Sequence, residues 1–215
     1  MLAATRYNSK FFKADSRVNT GEKSSHVYTS RYHNEIVVND IFVPAGQSIN
    51  LGFTGFGQTI LFPVVGNLPF MKNAEEEKTL SPGDIFSYTE QPGDIITIKN
   101  PYADDTINFL QIGLKTKQQT LLPEVSTINF TEKNCLVSAK GNAANIKAGI
   151  YDSRVKGTMK LDKDDGSVFA YIINGSFEID GRLMEYRDGL FEWGLAETEF
   201  EALSATAILL LIDCS

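Results

Sequence analysis

The sequence predicts an all-β protein made of two small antiparallel barrels in tandem. Three observations lead there. Short β-rich runs are cut by Gly, Pro, Asn and Asp turns, which is the punctuation of a barrel or sandwich rather than of alternating strands and helices. Fourteen Phe and eight Tyr stand beside seventeen Gly, a balance that leans towards strands and tight turns. The two halves also repeat each other: QTILFPVVG (Gln58 to Gly66) and SVFAYIING (Ser167 to Gly175) are both apolar runs ending on glycine, each followed by a hairpin and a Gly/Asp turn.

Taken in order, residues 1–35 are mixed and polar, with Arg6, Lys10, Lys13, Arg17 and Lys23 among Asn and Ser, and read as a short strand followed by an irregular arm. From Glu35 to Leu114 the runs IVVNDIFVPAG, TILFPVV, DIFSYTE, DIITI and TINFLQIGL are separated by NLP, SPGD, QPGD and NPYADD. Pro63 has no N–H for a ladder and marks a bulge or an edge in its strand. Glu75 to Glu77 form a solvated hairpin tip. Residues 115–130 contain Pro123, lack strict alternation and read as a linker with a strand at its end. The expected domains are therefore 1–115 with the amino-terminal arm, a linker over 116–130, and 131–215. In the second domain Asp180-Gly181 has the chemistry of a type I′ hairpin turn, and Ala205 to Ile212 reads as a strand buried on both faces.

Composition excludes several classes of function. The 215 residues carry a net charge of −7, which works against non-specific attraction to nucleic acid or an anionic membrane. The short basic KTK stretch at Lys115 to Lys117 reads as solvated linker, and direct nucleic-acid contact is not expected. Neither a signal-like apolar core nor a run long enough to span a bilayer occurs, so the expected setting is cytoplasmic. Cys135 and Cys214 lack the spacing of a zinc or redox motif. GFTGFG (Gly52 to Gly57) lacks the strand-to-helix context of a dinucleotide loop, and LDKDDG (Leu161 to Gly166) lacks the later Glu of a calcium loop.

Several stretches together resemble the pirin-like bicupin family of the cupin superfamily. The carboxyl-terminal VFAYIINGSFEIDGRLMEYRDGLFEWGLAETEFEALSATAILLLID is similar to that family's second domain. VNDIFVPAGQ, the later PGD and TINFLQIGL are similar to its first, and SSHVYTSRYH resembles a worn copy of its histidine-bearing arm, with His26 at the His position. The resemblance implies two jelly-roll cupin barrels and, in metal-bearing members, three His and a Glu holding an iron-like ion with open positions for substrate.

This chain departs from the family at every one of those positions. Gly46 opens the motif frame and Gly66 closes it, but Gly52 and Thr54 stand at the two His positions and Gln58 at the Glu position. Ile96 stands at the remaining His position, and the adjoining Ser-Glu pair has become Thr97 and Ile98. Binding worth about 10 kcal/mol or more requires imidazole, thiolate or carboxylate donors, so no metal and no cofactor are expected. The inventory agrees in any register: the protein has only two histidines, His26 and His33.

The degenerate ligand positions Gly52, Thr54, Gln58, Ile96 and Ile98 then become candidate pocket lining, together with Phe53, Phe56, Phe62, Tyr88, Glu90 and His26. Either the space is open and takes a small, partly apolar or aromatic molecule, or Ile96 and Ile98 fill it and the protein works through its surface with a protein partner. The first expectation is a metal-free binding or regulatory protein. The opposing one is an enzyme, either cofactor-independent and using Glu90, Gln58 or His26, or retaining quercetinase-like dioxygenase activity. A transcriptional cofactor role, as the resemblance implies for some relatives, is a third.

Overall fold

A computed structural model describes residues 8–21, 25–115, 121–143 and 145–215. The readings made above for residues 1–7, for Lys23, for Thr116 and Lys117, and for the linker core at 116–120 lie outside these. Residues 8–12 form the first strand, β1 (Asn8–Phe12). The strands that follow are β2 (His26–Tyr32), β3 (Ile36–Val43), β4 (Ser48–Leu51), β5 (Gly57–Val65), β6 (Leu68–Lys72), β7 (Lys78–Leu80), β8 (Asp84–Thr89), β9 (Ile96–Lys99), β10 (Ile107–Lys115) and β11 (Glu124–Thr127). The second half supplies β12 (Val137–Ser138), β13 (Ile146–Tyr151), β14 (Lys156–Lys160), β15 (Gly166–Asn174), β16 (Phe177–Ile179), β17 (Arg182–Met184), β18 (Gly189–Leu195), β19 (Glu197–Ala202) and β20 (Ala207–Asp213).

The chain divides into two compact units. One contains residues 17–128 with 139–143, the other residues 8–16, 129–138 and 145–215. Each is a pair of antiparallel sheets, and their layouts correspond strand for strand. In the first unit the sheets run β11-β8-β5-β10-β3-β2 and β4-β9-β6-β7; in the second, β1-β18-β15-β20-β13-β12 and β14-β19-β16-β17. The two runs matched in the sequence, β5 and β15, hold the same central place in their sheets. This is an all-β architecture of two cupin barrels.

The outermost place beside β8 is filled by β11, and the equivalent place beside β18 by β1. The amino-terminal strand is thus an edge of the second unit's sheet, whereas residues 139–143 pack with the first unit.

Local chemistry explains the elements. Pro63 coincides with a register shift, with Phe109 opposite Pro63 and Asn108 opposite Val65, so one residue bulges out of the ladder. The bulge falls in a central strand rather than at an edge, beyond the residues of β5 that pair with β8, so the missing N–H breaks no ladder bond there. Asp180 and Gly181 both have positive φ, 45° and 75°, and close the β16–β17 hairpin with Ile179 opposite Arg182. β20 lies between β15 and β13 and is buried along almost its whole length. The first barrel's core joins Ile41, Leu61, Phe70, Phe86, Ile98 and Phe109 among others; the second joins Tyr151, Phe177, Leu190, Phe200 and Leu209. Among the described residues no helix is long and apolar enough to cross a membrane.

Candidate functional site

The segment 52–56 leaves β4 and turns back into β5, and two positive-φ glycines, Gly55 and Gly57, let it do so without Cβ strain. One carboxylate fixes this segment. Glu90, immediately after β8, is 5 % exposed. Its Oε1 accepts the Thr54 N–H at 2.9 Å and the Thr59 hydroxyl, and its Oε2 accepts the Thr54 hydroxyl at 2.9 Å and the Gly55 N–H at 3.1 Å. The Glu90 N–H in turn donates to the Gly57 carbonyl at 2.7 Å. A buried carboxylate is costly unless its lone pairs are used, and here four donors converge on two oxygens.

On the other side Thr54 rests against Gly113 of β10. A Cβ at Gly113 would lie 2.7 Å from the Thr54 hydroxyl oxygen and 2.8 Å from a Val37 methyl, so the approach of the segment to the sheet depends on glycine there.

This geometry places each residue singled out from the sequence. Gly52, Phe53, Thr54 and Phe56 line a cavity of about 400 Å³. The other expected lining residues do not. Strand alternation turns Thr59 towards Glu90 and the barrel interior and turns Gln58 to the opposite face, where its amide donates to the Asn142 carbonyl at 2.7 Å. Phe62 shares the face of Gln58, one residue out of step with the core residue Leu61. Ile96, Ile98 and Tyr88 are packed into the hydrophobic core. Burial first, then the nearby Glu90 and Asp94 carboxylates, push the Tyr88 hydroxyl pKa up, so it stays protonated. Glu90 is buried behind Thr54 as an anchor. His26 is exposed, and its Nδ1 lies 2.6 Å from the Asn19 amide.

The cavity's remaining walls were not singled out from the sequence. Its interior side is formed by Val27, Thr29 and Arg31 of β2, Asn39 of β3 and Gln111 of β10. The polar members form a ladder across three strands: the Thr29 hydroxyl donates to Asn39 Oδ1 at 2.8 Å, and Asn39 Nδ2 donates to Gln111 Oε1 at 3.0 Å. At the rim the Arg31 guanidinium lies 4.8 Å from the Phe56 ring centroid. The available signal was Asn39 in IVVNDIFV and Gln111 in INFLQIGL, each a polar residue among otherwise apolar positions on the inward face of its strand.

The residues at the family's ligand positions do not fit a divalent metal. Gly52 has no side chain, the Thr54 hydroxyl is committed to Glu90, Gln58 faces away, and Ile96 and Ile98 are apolar and buried. Among the described residues no three His, Cys, Asp or Glu side chains are grouped to hold a metal ion, LDKDDG included.

The second barrel carries a different polar group. Glu192 of β18 points to the same side as the core residue Leu190, is fully buried, and accepts a 2.9 Å hydrogen bond from Arg182 Nη1. Asp180, at the hairpin turn, accepts the Thr198 hydroxyl at 2.8 Å and the Glu199 N–H at 3.2 Å. Burial, then the neighbouring Asp180 carboxyl, raise the Glu192 pKa to about 8 against the pull of Arg182. An open cleft of about 450 Å³ nearby is lined by outward residues of the small sheet, Lys156 beside Glu178, Glu199 and Glu201. Its charges are those of a solvated strand face.

Residues 141–214 match the family described as the quercetinase C-terminal cupin domain. No curated protein matches the sequence. Among solved structures, YhhW of Escherichia coli superposes with a TM-score of 0.76 at 15 % identity, covering 96 % of this chain and 97 % of that one. The same bacterial pirin solved in complex with nickel(II) gives 0.75 at 14 % identity, covering 96 % and 98 %. A quercetin 2,3-dioxygenase of Acinetobacter baumannii gives 0.70 at 15 % identity, covering 98 % and 79 %. The fold defines a two-barrel cupin. Residues 141–214 carry the quercetinase family's C-terminal cupin domain, and the chain shares its fold with the bacterial pirin structures.

Proposed function

We propose that this protein binds a small, partly apolar molecule without metal at the mouth of its first barrel, and acts as a binding or regulatory protein rather than as a dioxygenase. The observation that carries the reading is the state of Thr54. The residue at a metal-ligand position of the family frame is held instead by an internal carboxylate, Glu90, and the same segment forms one wall of a cavity of about 400 Å³. That volume lies within the range of about 300–1,000 Å³ usual for small-molecule sites, and the mix of apolar walls and a few directed polar groups is the usual composition. A nickel(II) ion, such as the one named for a neighbouring structure, calls for imidazole or carboxylate donors, and Gly52, Thr54, Gln58 and Ile96 supply none. A cytoplasmic setting goes with this reading, since the sequence offers only two cysteines, without the spacing of a disulfide framework.

The test combines elemental analysis of the purified protein, a nickel(II) titration, and ¹H–¹⁵N spectra recorded against a library of small organic fragments. The expected result is sub-stoichiometric iron, nickel, copper and zinc, with fragment-induced shifts at Thr29, Asn39, Phe56 and Gln111. One equivalent of tightly held metal would overturn the metal-free reading. Shifts confined to other surfaces, or seen only with protein partners, would move the function out of the cavity.

A further inference from the structure

We infer that the occupant of the first-barrel cavity is a small organic carboxylate with an apolar body and a hydrogen-bond acceptor at the end opposite its charge. The inference rests on the binding function proposed for that cavity and names its ligand class.

Charge comes first. Of the fourteen described residues lining the cavity, Arg31 alone is charged and none is a carboxylate, in a chain where acidic residues outnumber basic ones 27 to 20. The guanidinium is positioned but not neutralised. It stacks on Phe56 at 4.8 Å, and its one hydrogen bond among the described residues runs from Nε to the His33 carbonyl at 3.3 Å. Its terminal nitrogens have no ion-pair or hydrogen-bond partner among the described residues. A stacked guanidinium with its outer edge open has the planar donor geometry that matches a carboxylate. A single cation among walls such as Val27, Val37, Ile41, Ile49 and Leu51 suits one negative charge on an apolar body better than a phosphate, whose higher charge calls for more donors.

The polar ladder supplies the second contact. It runs donor to acceptor from Thr29 through Asn39 to Gln111 and ends there, leaving Gln111 Nε2 with no hydrogen-bond partner among the described residues although Gln111 is only 5 % exposed. Such a donor in a cavity wall selects an acceptor, because leaving it unpaired beneath a bound apolar group costs free energy. Thr29, Asn39 and Gln111 lie opposite one another on adjacent strands, and Arg31 is two residues further along β2. Strand geometry therefore separates the Cα atoms of Arg31 and Gln111 by roughly 12 Å, which leaves about one ring's length between their side-chain ends.

The experiment uses the full chain and a matched pair of probes, 4-hydroxybenzoate and 4-hydroxybenzamide, which share shape and differ in charge. Affinity is read by titration, and location by the side-chain amide signals of Asn39 and Gln111. The wild type is expected to bind the benzoate at least tenfold more tightly than the benzamide. Arg31→Gln should abolish that preference by weakening the benzoate at least tenfold more than the benzamide, and Gln111→Leu should weaken both probes. Equal affinity of the two probes, with the amide signals shifting, overturns the carboxylate assignment while the cavity remains a binding site. If neither probe moves those signals, the carboxylate assignment fails; if the fragment library is also silent there, the binding function fails with it. Arg31 is exposed, so its substitution leaves the core intact, which the unperturbed remainder of the spectrum will verify.

Discussion

Glu90 accepts both the backbone N–H and the side-chain hydroxyl of Thr54, each at 2.9 Å, across 36 positions of sequence. The carboxylate spans that gap, joining Thr54, Gly55 and Thr59. Replacing it strands several donors at once. Glu90→Ala is expected to cost about 2–4 kcal/mol in urea unfolding, since each buried donor left unsatisfied costs about 1–3 kcal/mol and water reaches part of the vacancy. The amide protons of Thr54 and Gly55 should lose protection in hydrogen exchange while those of β10 keep theirs. Unchanged protection at Thr54 would show that the segment is held by something else.

Gly113→Ala tests the opposite side of the same segment. The backbone accepts alanine, but the new methyl would stand 2.7 Å from the Thr54 hydroxyl oxygen. Overpacking of this kind typically costs about 1–3 kcal/mol, and the segment is expected to give way before the sheet does. The readout is a lowered melting temperature together with weaker binding of any fragment that the wild type holds.

Metal addition and removal should leave stability unmoved. A site binding nickel(II) would stabilise the fold by about 4 kcal/mol once the free ion stood a thousandfold above its dissociation constant. Thermal unfolding with EDTA, with nickel(II) and with neither is expected to give one melting temperature. A rise with nickel(II) that Glu90→Ala removes would assign Glu90 as a ligand and refute its reading as an anchor.

Glu192 gives the second barrel a pH dependence of defined sign. The folded protein holds this proton up to about pH 8, whereas an unfolded glutamate releases it near 4.5. Between those values the native state binds more protons than the unfolded one, so this contribution is complete below 4.5 and is lost as pH rises towards 8. The local slope cannot exceed about 1.4 kcal/mol per pH unit. Glu192→Gln imitates the protonated form and should flatten the decline, making the variant the more stable of the two at pH 8.5. Denaturant unfolding at pH 5.5, 7 and 8.5 measures the difference; parallel curves would place the titration elsewhere.

Much of the fold could be read in advance because it is coded locally. Asp180-Gly181 announces its hairpin through φ, Pro63 its bulge through a missing N–H, and the duplicated strand-to-glycine runs announce two like barrels. The site was legible only in part. Gly52 and Thr54 could be placed by counting from Gly46, but Gln58 landed on the wrong face because a strand inverts its side chains at every residue, and the motif's spacing leaves one residue of play. Arg31, Asn39 and Gln111 belong to three strands that meet only on folding. Glu90 could be seen as an acid but not as an anchor, since its donors lie on the far side of a hairpin.

The pairing of β1 with β18 has a consequence for synthesis. The residues that receive Asn8–Phe12 begin at Gly189, about 180 positions later in the chain. At ribosomal rates of roughly 5–20 residues per second, that strand waits on the order of ten to thirty-five seconds for its partner. Through that interval the first barrel can complete its own sheets while an extended, partly apolar segment trails from its beginning. β1 therefore stays without its partner until Gly189–Trp193 has been made, and through that interval its unpaired backbone is open to mispairing.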